Sequence, residues 1–279
     1  MPPELVLRPG PDGAAIIPDR AYLNAYALRI GRTDQSYVDL DDPLRLEFDY
    51  MQRVADVIDG HAAPGQRLRV VHVGGAAMTL PRYVAATRPQ SAQIVLEPDA
   101  ELTDFVREHL PLAKRSGIKV RPVDGRTGLA EMRDGHADLV IVDAFVGAQV
   151  PADLTTIEFL RDVQRVLVPT GLLLINLTDR GPFDYGRRVV AGVQQMWDCT
   201  ALSAEPSTLK GRRFGNVLVL GSDAELPLNS LAQRAASSVF PYRVVHGPRL
   251  DQIVGQAHPF TDQDAVQSPE PPHGLTHFT

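Results

Sequence analysis

The chain has 279 residues, 44% of them hydrophobic and 22% charged, a composition that suits a globular fold with a sizeable core. Its formal charge of −6 offers no general basic face for nucleic acid. One cysteine, Cys199, excludes an internal disulfide and a Cys/His zinc site. Neither a leader sequence nor an apolar run near the roughly 20 residues that cross a bilayer is seen, so a cytoplasmic protein without membrane partners is expected.

The first 60 residues alternate in short β-like stretches and then turn amphipathic. In "LRLEFDYMQRVADVI", Leu46, Tyr50, Val54 and Ile58 repeat at helical spacing. Residues 1–60 therefore read as a small N-terminal β extension with the helix that follows it. From 61 to 250, buried strands alternate with helices. The strands are "LRVVHVG" (68–74), "AQIVLEPD" (92–99), "GIKVRPVDG" (117–125), "ADLVIVDAF" (137–145) and "LLLINL" (172–177). Runs that are apolar almost throughout are buried on both faces, as in a parallel sheet between helices. "WDCTALSAE" and "FGNVLVLGS" add an antiparallel pair at one edge, for seven strands in all. The fold class is α/β, Rossmann-like, with a mostly parallel sheet and helices on both faces. The proline-rich residues 251–279 read as an extended or disordered tail.

Ligands of such sheets sit outside the carboxyl ends of the strands. Four successive strand ends carry suitable residues. Gly74 and Gly75 allow a tight turn without the three-glycine phosphate fingerprint, which fits a nucleoside lacking a pyrophosphate. Glu97 stands where such sheets place an acceptor for ribose hydroxyls. Asp124, before Gly125, suits an exocyclic adenine amine, and Asp143 ends the fourth strand. Singly, each has a plain reading as packing, a solvated loop acid or an Asp-Gly turn. Jointly they favour a nucleoside site. His72, inside a strand, reads as a core residue, and the other histidines lack metal spacing, so no metal is expected.

From Asp34 to about Asp223 the chain resembles the spermidine synthase (polyamine aminopropyltransferase) family, and within it an actinobacterial spermidine-synthase-like branch. The resemblance is carried by "QSYVDLDDPLRLEFDYMQRVADV", "VVHVGGAAMTLPRYV", "VLEPD", "VDGR" and "LVIVDAF" in family order. It implies the fold of S-adenosylmethionine-dependent methyltransferases behind a small β domain, and a homodimer. It also implies that Gly74, Gly75, Glu97, Asp124, Gly125 and Gln35 bind the nucleoside co-substrate, that Tyr50 meets the second substrate, and that Asp143 is the first acid of the family's catalytic loop.

The departures are as specific. Val146 stands where the family has its catalytic acid, Met51 and Gln52 replace a His-Glu pair, and Ala77 replaces the acid of the glycine turn. The function expected is a spermidine-synthase-like transferase that binds S-adenosylmethionine, its decarboxylated form or methylthioadenosine, with aminopropyl transfer to a polyamine as the family reaction. A methyltransferase on another acceptor and a non-catalytic nucleoside-binding protein remain the alternatives.

Overall fold

The computed structural model describes residues 3–10 and 13–272. Strands β1 (Leu5–Arg8), β2 (Ala14–Pro18), β3 (Ala25–Ile30) and β4 (Thr33–Asp39) form an antiparallel sheet in that order. Helix α1 (Asp49–His61) follows, and its Val54 and Ile58 are fully buried. They share a core with Val70, Leu139 and Ile141 of the larger sheet, so α1 packs on that sheet.

The larger domain then runs β5 (Arg69–Val73), α2 (Thr79–Thr87), β6 (Ala92–Leu96), α3 (Ala100–His109), β7 (Ile118–Arg121), α4 (Gly125–Ala130) and β8 (Ala137–Val142). It continues through α5 (Ile157–Val166), β9 (Leu167–Asp179), α6 (Gly186–Met196), β10 (Cys199–Ala204), α7 (Pro206–Leu209) and β11 (Gly215–Ser222). Helix α8 (Leu228–Ser237), β12 (Arg243–His246) and α9 (Pro248–Val254) complete it. The sheet order is β12-β10-β11-β9-β8-β5-β6-β7, parallel from β9 to β7 and antiparallel at the other three pairings.

Successive residues of the central strands are buried on opposite faces. Val71, Val73, Val140 and Val142 join a core with α5 and α6, while Val70, Leu139 and Ile141 join the one beneath α1 and α2. This double burial is why the strands read as continuous apolar runs. After β5 the chain steps outward through β6 and β7, then returns to the other side of β5 as β8. That reversal opens a crevice between the ends of β5 and β8, where open α/β sheets bind ligands.

Two expectations need correction. The sheet has eight strands rather than seven, and the β10–β11 pair is not terminal, because β12 lies outside it with Leu202 opposite Val245. Only Val245 of β12 is deeply buried, so its sequence carries little period-2 signal. The segment expected to be an extended or disordered tail begins inside α9 and is anchored to 272. Phe260 is 2% exposed, accepts the Ile157 N–H at 2.8 Å and lies under the Arg188 guanidinium. Further on, the Ser268 hydroxyl oxygen accepts the Val150 N–H at 2.8 Å. A few spaced anchors hold a strap that low average hydrophobicity conceals; residues 273–279 lie outside the described residues. Among the described residues no helix is long and apolar enough to cross a membrane.

Candidate functional site

A cavity of about 430 Å³ opens at the carboxyl ends of β5, β6, β7 and β8. Every residue expected from the sequence to bind or react lines it: Gln35, Tyr50, Gly74 and Gly75, Glu97, Asp124 and Gly125, and Asp143. The topology therefore brings eight positions from six separate places in the chain to one cavity.

The glycine turn is shaped by close approach. Gly74 has φ +94°, and a Cβ there would lie 2.3 Å from the Asp143 carbonyl oxygen. Only glycine lets β5 and β8 end so near each other. At Gly75 a Cβ would meet Val95 Cγ1 at 2.9 Å and Glu97 Cβ at 3.1 Å. The small N-terminal sheet supports the same turn from above: the Ala77 N–H donates to Ser36 Oγ at 3.2 Å and Thr79 Oγ1 to the Tyr37 carbonyl at 2.8 Å.

Glu97 holds the turn through its carboxylate. Oε2 accepts the Gly75 and Ala76 N–H groups at 3.0 and 3.3 Å, and Oε1 accepts the Asp99 N–H at 3.0 Å. A carboxylate has about four acceptor positions, so roughly one remains for a ligand. Asp124 is the N-cap of α4: its Oδ1 accepts the Thr127 N–H at 2.8 Å, and that bond holds its carboxyl below the ordinary value. Gln35 reaches across the cavity mouth, donating from Nε2 to the Gly147 carbonyl at 2.9 Å.

Asp143 differs from the others because side chains hold its carboxylate. Asn176 Nδ2 donates to Oδ1 at 2.8 Å, and the Tyr50 hydroxyl donates to Oδ2 at a longer 3.4 Å. The residue keeps intermediate exposure because it faces the cavity, yet protein packs closely around the carboxylate. Burial pushes its carboxyl pKa up, against the opposing pull of the Asn176 and Tyr50 bonds. Tyr50 is likewise pushed well above its ordinary value, first by burial and then by the Asp143 charge.

The four residues at which the chain departs from the resembled motifs take distinct positions. Val146 is 65% exposed at the rim and pairs with Gln149 across a tight turn in which Gly147 has φ +63°. Met51 lines the cavity, whereas Gln52 turns away to the Leu46 carbonyl. Ala77 is buried outside the cavity lining, and Ala76 faces the cavity instead.

Sequence reasoning missed Asn176 and Asn216. Both are buried; Asn216 Nδ2 donates to Asn176 Oδ1 at 3.1 Å, which turns the Asn176 amide donor toward Asp143. The Arg53 guanidinium in turn donates to the Asn216 carbonyl at 3.2 Å. A polar residue inside "LLLINL" was the available signal, since a buried amide requires partners. His72 is buried against Gln93 and lowered to about 4 by burial, which leaves it uncharged at neutral pH. Among the described residues no group of three or more His, Cys, Asp or Glu is placed to hold a metal ion.

This topology is a spermidine-synthase-like form of the fold found in S-adenosylmethionine-dependent methyltransferases. Comparison with individual proteins leads the same way. A probable spermidine synthase from Corynebacterium glutamicum superposes with a TM-score of 0.83 at 28% identity, over 93% of this chain and 96% of that one. A spermidine synthase in complex with the transition-state analogue AdoDATO gives 0.61 at 12% identity, covering 90% of this chain and 87% of that one. Human methyltransferase-like protein 13 in complex with SAH gives 0.52 at 18%, covering 76% and 93%; these last two show the fold alone. The polyamine aminopropyltransferase of Chromobacterium violaceum is 26% identical over 155 residues, which are 55% of this chain and 58% of that protein. The chain thus spans little more than half the length of that curated relative. No family model matches.

Proposed function

We propose that the protein is a transferase acting on a sulfonium nucleoside, with decarboxylated S-adenosylmethionine as its preferred donor. The observation that carries this is the charge of the lining. Five carboxylates, Glu97, Asp99, Asp124, Asp143 and Asp153, face the cavity, and among the described residues no Lys or Arg does. Arg8, outside the lining, pairs with Asp99. The α-carboxylate of S-adenosylmethionine would therefore face the remaining four carboxylates with no Lys or Arg in the lining to receive it, an expensive desolvation. Its decarboxylated form and the sulfonium centre carry only positive charge.

In this reading Glu97 accepts a ribose hydroxyl, Asp124 accepts the adenine amine, and Gly74 and Gly75 let the backbone approach the nucleoside. Asp143, beside the turn, receives cationic groups near the sulfur. Its raised carboxyl pKa makes it a better proton acceptor than an ordinary carboxylate. Aminopropyl transfer is the reaction these features favour. Methyl transfer is the second reading, supported by the absence of a carboxylate at Val146, because that chemistry needs alignment more than a base. A homodimer, which family resemblance implies, belongs to the proposal and is checked by sedimentation.

Titration calorimetry of the whole chain with methylthioadenosine, decarboxylated S-adenosylmethionine and S-adenosylmethionine tests this. The decarboxylated form should bind at least about tenfold more tightly than S-adenosylmethionine, a difference of about 1.4 kcal/mol. Tighter binding of S-adenosylmethionine points to methyl transfer, and no binding of any of the three removes the nucleoside reading.

A further inference from the structure

The distribution of charge within the cavity is uneven, and it bears on the second substrate. Glu97 and Asp99 follow β6, Asp124 caps α4 after β7, and Asp153 lies in a short helical turn whose next residue, Leu154, packs on Gly125. Three of these carboxylates therefore follow β6 and β7, and Asp153 neighbours them through Leu154. At the β5–β8 end the lining holds one carboxylate, Asp143. Around it stand Tyr50 and Met51 from α1, with Phe145, Val146 and Pro151 from the loop after β8.

The polar groups at this end are already engaged. The Tyr50 hydroxyl and the Asn176 amide donate to Asp143, and the Gln35 amide donates to Gly147. Two acids outside the lining are engaged elsewhere. Asp49, one residue before Tyr50, faces Arg53 at 3.8 Å, and Asp179 accepts the Gly186 and Arg180 N–H groups; neither lines the cavity.

We propose that the acceptor half of this cavity takes a primary amine with an apolar body and a single charged nitrogen. The proposal rests on the sulfonium-nucleoside reading above. Asp143 receives the attacking nitrogen. Beyond it, Met51 lies in the cavity wall at 3% exposure and Val146 at the rim at 65%. An apolar body that covers Val146 gains by leaving water. A second ammonium beside Val146 keeps its hydration but finds no carboxylate on Phe145, Val146 or Met51, and drawn inward among them it would be unpaired.

The incoming ammonium gives one proton to Asp143 and becomes a neutral amine. Its lone pair attacks the methylene carbon bonded to sulfur, forming a C–N bond. The C–S bond breaks, its electron pair passes to the sulfonium, and neutral methylthioadenosine leaves. The product is a secondary ammonium, and Asp143 returns its proton to water. The raised carboxyl pKa of Asp143 brings it nearer that of the amine it must deprotonate.

The test begins with calorimetric binding of methylthioadenosine by the whole chain, which decides the nucleoside reading separately. With saturating decarboxylated S-adenosylmethionine, putrescine, n-butylamine and n-hexylamine are then compared by mass spectrometry of product. Butylamine should match or exceed putrescine in kcat/KM, and hexylamine should exceed putrescine about tenfold. Val146→Asp, at an exposed position, should shift the ratio toward putrescine. Putrescine as the best acceptor of the wild type, no transfer to any amine by a protein that binds the nucleoside, or an unchanged ratio in V146D would each overturn the proposal.

Discussion

Asp143→Asn separates what the site needs from what the fold needs. Burial raises the carboxyl pKa of Asp143 in the folded chain. A carboxyl raised on folding contributes its full share of stability below its unfolded pKa, about 3.9. That contribution is lost as pH rises through the higher folded value. At neutral pH the ionised side chain therefore opposes folding, offset only in part by Asn176 and Tyr50. Asparagine keeps the shape, still accepts from Asn176, and removes the buried charge. Stability should rise by about 0.5–2 kcal/mol, the range of single stabilising changes. At about 2–4 °C per kcal/mol this is roughly 1–8 °C in thermal midpoint. The gain should shrink toward acid, where the wild-type carboxyl is protonated. Binding should change oppositely: loss of a charge-assisted contact weakens decarboxylated S-adenosylmethionine by about 1.5–3 kcal/mol, while neutral methylthioadenosine is affected less. Scanning calorimetry between about pH 4 and about pH 8, with titrations of both ligands, reads both arms. A lower midpoint at neutral pH, or a gain independent of pH, refutes the reasoning.

Asn176→Ala removes the 2.8 Å bond to Asp143 and strands the Asn216 amide, so a loss of about 2–4 kcal/mol is expected; a calorimetric midpoint within about 2 °C of wild type would show the amide pair to be dispensable. Gly74→Ala places a Cβ 2.3 Å from the Asp143 carbonyl at a φ of +94°. The dihedral alone costs about 1–3 kcal/mol, so poor folding and no nucleoside binding are expected, and wild-type behaviour in both would contradict the close approach. Asp124→Asn keeps the α4 cap, so its denaturation midpoint should move by no more than about 0.5 kcal/mol. Its affinity should fall more for methylthioadenosine than for the inosine analogue, and equal losses would restrict Asp124 to the cap.

The parallel core of the fold was legible because burial on both faces writes itself as uninterrupted apolar runs, as in Leu139 to Val142 and Leu172 to Ile175. Helix α1 was legible for a similar reason, since Tyr50, Val54 and Ile58 face one core. Strand β12 was not, because its place is set by pairing with β10 rather than by a buried face of its own. The strap after α9 escaped for the converse reason. Its anchors, Phe260 and Ser268, are eight residues apart and attach to α5 and to the loop after β8, neither of which is near in sequence.

The site poses a subtler question, because the sequence offered each acid as either a ligand group or a local structural one. Glu97 and Asp124 show that the choice is false. A carboxylate has enough acceptor capacity to fasten a turn or cap a helix and still face a cavity. Such residues are readable in sequence because the backbone they bind is close by: Asp124 caps three residues ahead, and Glu97 bonds Asp99. Asp143 follows another rule. Its partners are Tyr50 and Asn176, 93 and 33 residues away, and Asn176 is itself oriented by Asn216, 40 residues further on. A local motif can therefore announce that an acid ends the strand but cannot give its orientation or its proton affinity. Those depend on α1, β9 and β11 meeting behind it, so changes at Asn176 or Asn216 should retune Asp143 without touching anything that enters the cavity.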